Sequence, residues 1–183
     1  GWDNFRTVLD DPSFAPAMTH TMVFTFASIA VQYAAGLALA VFFDRGFPLA
    51  PTLRALFLIP WLLPLIVSAS TWSWMLNSES GVLNYALRTV GVAPVDWLNS
   101  PHWALTSVII ANIWIGIPFN LVILYSGLQN IPGELYEAAE VDGADSIKRF
   151  RHITLPGLKY VILVTVLLST ISTFNTFGLV YLM

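Results

Sequence analysis

The chain has 183 residues, of which 56% are hydrophobic and only 10% charged, with a mean hydropathy of +0.71. Those values exclude an ordinary soluble globular domain and point to lipid as the solvent. A net charge of −3 without a separate basic run excludes a nucleic-acid surface, and the lack of cysteine excludes a disulfide framework and any thiolate metal or redox site.

The first seventeen residues carry Asp3, Arg6, Asp10, Asp11 and Pro12 and read as an interfacial lead-in. Four apolar segments follow, near Pro16 to Phe43, Ala55 to Leu76, Trp103 to Leu128, and from Tyr160 to the end. Each meets the requirement of about 20 residues for a hydrocarbon core about 30 Å thick. Backbone groups in lipid must pair among themselves, and no ten-residue alternation suggests a barrel, so the spans are expected to be helices. The expected fold is an all-α membrane protein, a polytopic helical bundle with about four spanning helices, treated as one domain over residues 1–183. Gly1 is not an initiator and the chain stops within an apolar run. We therefore expect further helices before and after.

Between the second and third spans, Asn77 to His102 contains an apolar patch of Val82, Leu83, Tyr85, Ala86 and Leu87. It predicts a short helix along the membrane surface, with Trp97 and Trp103 at headgroup depth. A surface cap anchored by tryptophan and a dock for an external protein are both consistent with it.

Between the third and fourth spans, Ile131 to Pro156 holds eight of the nineteen charged residues, Glu134 through Arg151. Leu135, Ala138, Ala139 and Asp142 fall at i, i+3, i+4 and i+7, giving a short helix one narrow face of small residues. Gly143 is a natural stop, Asp145 can cap a second short helix, and Pro156 is expected to end the passage. The product is a helix–break–helix elbow. If it lies inside the cell, Arg45, Arg54, Lys148, Arg149, Arg151 and Lys159 are inside and Arg6 and Arg88 outside, as the positive-inside rule requires.

Within the spans the informative residues are polar. Ser169, Ser172, Thr173 and Thr176 form a helical stripe on the fourth segment, with Asn175 beside it, and Asn112, Gly116 and Asn120 share a face of the third that Pro118 would kink. Asn112, Asn120, Ser172, Thr173, Asn175 and Thr176 are candidate lining of a solute path. Amides and hydroxyls interleaved with aromatic rings suit a sugar. The same residue types also serve as helix–helix glue in lipid, and both readings stand. No phosphate-binding loop, no metal-binding histidine spacing and no carboxylate at membrane depth is present, so neither catalysis nor a proton-driven carrier is supported.

The elbow also carries a resemblance. Glu137-Ala138-Ala139, three residues, Gly143, nine residues, Ile153, one residue, then Leu155-Pro156 resembles the EAA loop of the membrane subunits of binding-protein-dependent ABC importers. With Asp142-Gly143-Ala144 it is most similar to the maltose-type, sugar-transporting branch. The likeness extends to Trp2-Asp3-Asn4-Phe5, Gly81-Val82-Leu83-Asn84, Trp97-Leu98 and Gly127-Leu128-Gln129, and so covers essentially the whole chain. Tyr160 departs from the proline, and His20 from the asparagine, that many members have there. The resemblance implies a pore-forming permease of a bacterial or archaeal inner membrane and not an enzyme. Its implied partners are a second permease subunit, a cytoplasmic ABC ATPase dimer, an extracytoplasmic solute-binding protein, membrane lipid and a sugar. It implies no cofactor on this chain, ATP and magnesium being used by the ATPase. Glu137, Ala138, Ala139, Asp142, Gly143 and Phe150 are the expected ATPase-coupling residues. An EAA-type permease for another solute, and a non-transporting scaffold that recruits a cytoplasmic partner, are the alternatives.

Overall fold

A backbone in lipid has no partner but itself, and most of the described residues are helical. A computed structural model describes residues 2–183, and no strand occurs among them. A short helix α1 (Asp3–Leu9) comes first. It is followed by a turn in which the Ser13 amide and hydroxyl both donate to Asp11 Oδ1, at 2.8 and 2.7 Å. That hydroxyl, and then the amide, hold the Asp11 carboxyl below the usual carboxylate range. The 31-residue α2 (Phe14–Asp44) is next, about 46 Å long at the standard helical rise. With α7 (Ala104–Leu128) it forms the pair of unbroken helices long and apolar enough, among the described residues, to cross a membrane. Pro118 lies inside α7 without ending it.

The other two expected spans are present as interrupted helices, a detail that apolar length alone does not reveal. The second consists of α3 (Ala50–Phe57), α4 (Ile59–Leu62) and α5 (Leu65–Met75). Leu63 and Pro64 between them are extended, with ψ of 141° and 138°. Proline disfavours the helical region for the residue before it and brings no amide hydrogen, so the helix stops at Leu62 and restarts after Pro64. The fourth consists of α11 (Lys159–Phe174) and α12 (Phe177–Leu182). Thr176 between them has φ −81° and ψ 50°, and the Phe177 amide donates to Asn175 O at 2.9 Å, an inverse γ-turn. The expected Ser/Thr stripe therefore ends at Thr173, and Thr176 stands outside the helix.

The chain forms two compact units, one of residues 1–30, 64–112 and 173–183, the other of 31–63 and 113–172. In the second, Ala40, Phe43, Ala50, Leu121, Leu124, Leu128 and Leu158 make the core. Close approach of α2 and α7 depends on missing side chains. A Cβ on Gly116 would lie 2.3 Å from the Gln32 side chain, and one on Gly36 would lie 2.5 Å from Asn120 Cβ. At one end of the pair, Gln129 Nε2 donates to Asp44 at 2.6 Å and the Arg54 guanidinium sits 4.0 Å above the Tyr125 ring.

In the first unit, α6 (Val82–Thr89) is the expected short helix, and its buried face is built around an amide. Asn84 is fully buried. Its Nδ2 donates to Ser78 O at 3.0 Å and Val95 O at 2.8 Å, and its Oδ1 accepts from the Val95 amide and from Trp97 Nε1, both at 3.0 Å. All four capacities of the amide are used. Ser107 then donates to Trp97 O at 2.8 Å, and Trp97 meets Trp103 edge-on at 5.2 Å, tying the loop to α7. Leu83 and Leu87 are part-buried with Asn84, whereas Val82, Tyr85 and Ala86 are exposed. The five-residue patch is thus split between two faces.

Asn84→Leu strands two carbonyls, one amide and an indole N–H. We expect it to lower stability by about 3 kcal/mol, read as a fall in unfolding temperature, while Tyr85→Ala on the exposed face changes it by no more than about 0.5 kcal/mol. Unfolding of Asn84→Leu at the wild-type temperature would remove the pin.

Candidate functional site

The elbow begins with α8 (Gly133–Val141), entered from Pro132. It ends in a full Schellman arrangement: the Gly143 amide donates to Glu140 O at 3.0 Å and the Ala144 amide to Ala139 O at 2.8 Å. This requires a left-handed residue at the third of those positions, and Gly143 supplies it with φ +76°. A Cβ there would meet nothing within 4 Å, so backbone conformation and not space demands the glycine. Ala139 and Ala144 are the pair that such a cap brings together, and both are half-buried.

The return arm is α9 (Ser146–Arg149), capped as expected by Asp145, whose carboxylate accepts from the Lys148 amide at 2.8 Å. A wider π-turn, Phe150–Thr154, follows, in which the Leu155 amide donates five residues back to Phe150 O. Pro156 does not end the passage, contrary to expectation. It lies in the first turn of α10 (Leu155–Gly157), where its missing amide hydrogen is harmless. The run Ser146–Gly157 bends by 66° into α11. Arg149 Nη1 pairs with Glu140 Oε2 at 3.1 Å across the two arms, and the Tyr136 and Thr154 hydroxyls share a hydrogen bond of 2.9 Å.

The structure brings the expected coupling residues onto this one motif. Glu137, Ala138, Asp142 and Gly143 are exposed, Ala139 and Phe150 half-buried. Three apolar side chains stand out among the charges: Leu135 is 50% exposed, Ile147 77% and Val141 89%. An apolar tip so open, on a backbone so fully bonded, is a surface that a partner can cover without refolding it.

The expected path residues fall in different surroundings. Asn120 is 1% exposed and donates to Gly116 O at 3.0 Å and to Ser169 Oγ at 3.4 Å. Asn112 and Thr173 are buried, Thr176 is half-buried, and Ser172 and Asn175 are exposed. Within the first unit, Thr173 and Thr176 line a cavity of about 700 Å³ together with His20, Thr21, Phe24 and Phe177. The rest of the wall is largely aliphatic, with Leu98, Leu105, Val108 and Val180 among it, so the cavity is mainly apolar with a few hydroxyls and aromatic rings. Sequence reasoning had not joined His20, Thr21 and Phe24 to Thr173, because nothing in spacing reveals which helices meet. Asn84 was also missed as a pin, although one amide in an apolar patch is a signal of it. Among the described residues no group of His, Asp and Glu is placed to hold a metal.

A family model described as the binding-protein-dependent transport system inner membrane component matches residues 32–183. The chain is 39% identical to the trehalose/maltose transport system permease protein MalF of Thermococcus litoralis, over all of this chain and 62% of that protein. It is 37% identical to the sulfoquinovosyl glycerol transport system permease protein SmoG of Agrobacterium fabrum, over all of this chain and 59% of that one. To the xylose/arabinose import permease protein XacH of Haloferax volcanii it is 36% identical, over 85% of this chain and 49% of that one. The chain thus spans about three fifths or less of the length of these curated relatives. Its fold matches a bacterial ABC transporter involved in import of the acidic polysaccharide alginate, with a TM-score of 0.87 at 24% identity over 99% of this chain and 64% of that one. A structure of a bacterial alginate ABC transporter in complex with an alginate pentasaccharide-bound periplasmic protein matches with a TM-score of 0.85 at 24% identity, over 92% and 59%.

The elbow geometry gives a test of its own. Gly143→Val is expected to insert into the membrane normally but to open the cap at a cost of about 1–2 kcal/mol, seen as faster hydrogen exchange at residues 143 and 144. Gly143→Asn, which tolerates the left-handed region, should be affected much less. Equal exchange in the two variants would mean that the positive φ is not what the site requires.

Proposed function

This chain belongs to the family of binding-protein-dependent transport system inner membrane components, and from that premise we propose that it is the pore-forming permease part of an ATP-driven sugar importer. It works in a bacterial or archaeal inner membrane with the elbow in the cytoplasm, the side that the distribution of Lys and Arg favours. The relatives named for trehalose/maltose, sulfoquinovosyl glycerol and xylose/arabinose support a carbohydrate as the solute class. The cavity at Thr173 and Thr176 has room for a small carbohydrate and sets two hydroxyls and the Phe174 and Phe177 rings among aliphatic side chains. In this reading Asn112, Asn120, Ser172, Asn175 and those two threonines belong to the path.

The observation that carries the reading is the elbow: a bonded, capped turn whose apolar tip, Val141 and Ile147, is exposed. We assign that tip, with Glu137, Ala138, Ala139, Asp142, Gly143 and Phe150, to a groove on a cytoplasmic ATPase dimer. ATP and magnesium are used there and not on this chain, which is no enzyme. A second permease subunit completes the pore, and an extracytoplasmic binding protein delivers the solute, as the alginate complex includes a periplasmic protein. Closure of the ATPase dimer on ATP pushes the elbow as a lever and changes the side from which the helices admit solute.

Val141→Asp and Ile147→Asp test this directly. Both sites are exposed, so thermal stability should stay within about 0.5 kcal/mol of wild type, whereas burial of a carboxylate in an ATPase groove should weaken co-purification of the ATPase about tenfold or more. Undiminished co-purification and ATP-driven uptake would show that the elbow is not the joint. A second measurement checks orientation on this cysteine-free chain. In sealed cells Asn99→Cys should react with an impermeant maleimide and Ser146→Cys should not, and the reverse pattern would place the elbow outside.

A further inference from the structure

The elbow is held at three places of unequal quality. The Schellman cap at Gly143 fixes the corner. The Glu140–Arg149 pair is 3.1 Å long, but the Glu140 side chain is 73% exposed, and ion pairs so open to water contribute little. The third is the Tyr136–Thr154 hydrogen bond. Thr154 is 6% exposed and Tyr136 half-buried, so this bond is shielded where the ion pair is not. It also joins distant points, since Tyr136 is on the first arm and Thr154 is the last residue of the π-turn. Four residues beyond Thr154, fully buried Leu158 enters the core at the bend into α11. A π-turn is a rare conformation that persists where its surroundings hold it.

We infer that Tyr136 is a positioning residue: its hydroxyl latches the first arm of the elbow to Thr154 of the π-turn, so that the elbow moves with α11 as one body. The inference rests on the proposed role of the elbow. Tyr136 acts through Thr154 and not by touching solute or nucleotide. Without the latch the first arm pivots about Gly143, and force applied at Val141 goes into bending the elbow.

The test uses the assembled complex, with its ATPase, carrying Tyr136→Phe, Thr154→Val or Thr154→Ser. Hydrogen exchange at residues 133–141 reads the latch itself, and needs no solute. The second readout is the change in maleimide labelling of Thr176→Cys produced by Mg-ATP with vanadate. We expect Tyr136→Phe and Thr154→Val to exchange faster than wild type over residues 133–141 and to lose about fivefold of the labelling response, the factor that about 1 kcal/mol of coupling free energy represents. Thr154→Ser, which keeps the hydroxyl, should restore both. Wild-type exchange in both Tyr136→Phe and Thr154→Val would overturn the latch, whatever the nucleotide response. Faster exchange with an undiminished response would overturn its role in force transfer. A wild-type complex with no ATP-vanadate response would instead overturn the importer reading, and the exchange data would then decide the latch by themselves.

Discussion

The constraint on which this structure depends is that lipid offers a peptide group nothing to bond with, so each interruption of a helix must be repaired locally or held outside the hydrocarbon. The interruptions here are repaired in distinct ways. Around Gly143 the freed carbonyls of Ala139 and Glu140 accept the Ala144 and Gly143 amides. At Thr176 a γ-turn between Asn175 and Phe177 recovers one bond while the side chain of Thr176 turns to a cavity. Beside Pro156 the chain widens to a π-turn, and the Leu155 amide reaches back to Phe150. Irregular backbone in a membrane protein is tolerated where it is buried in protein or borders a cavity, and the elbow and Thr176 lie at these interruptions.

Buried amides show the same rule applied to side chains. Asn84 uses all of its capacity and therefore acts as a rigid pin. Asn120 donates twice, but its Oδ1 is buried without an acceptor's partner among the described residues. An unpaired buried carbonyl oxygen costs on the order of 1–3 kcal/mol, so the two amides differ in kind although they are equally buried. Threonines such as Thr165 and Thr170 avoid the cost by donating to the carbonyl four residues back, at 2.6 and 2.7 Å. That habit explains how α11 carries Thr165 and Thr170 in lipid without either needing a partner on another helix.

The parts of this fold legible in the sequence were those governed by short range. Apolar length alone placed α2 and α7 to within two residues of their ends. Local chemistry gave the elbow, with Gly143 as its break and Asp145 as the cap of its second arm. The breaks at Leu63-Pro64 and Asn175-Thr176 were missed because hydropathy is blind to backbone torsion, although Pro64 and the pairing of Asn with Thr were visible signs of them. Pro156 misled for a related reason: proline stops a helix in its interior but suits a first turn, and which of these applies depended on a π-turn that no residue pattern announces. The split of the α6 patch, the cavity residues His20, Thr21 and Phe24, and the Tyr136–Thr154 bond all depend on which segments meet in space. No periodicity encodes that.

The elbow, finally, is asymmetric in a way that suits a joint. Its inner side is bonded through Gly143, Asp145 and Thr154, and its outer side carries Val141 and Ile147 in the open. A flexible loop with the same apolar residues would have to lose conformational freedom on docking, at roughly 1–2 kcal/mol per residue ordered. Here folding has already met that cost, so a partner gains from covering the tip without having to order it. Rigidity also decides what the contact can do afterwards. A displacement imposed on Val141 reaches Leu158 and the start of α11 only if the corner and the far end of the arm are both fixed, and a capped turn with one shielded side-chain bond fixes both with the fewest groups.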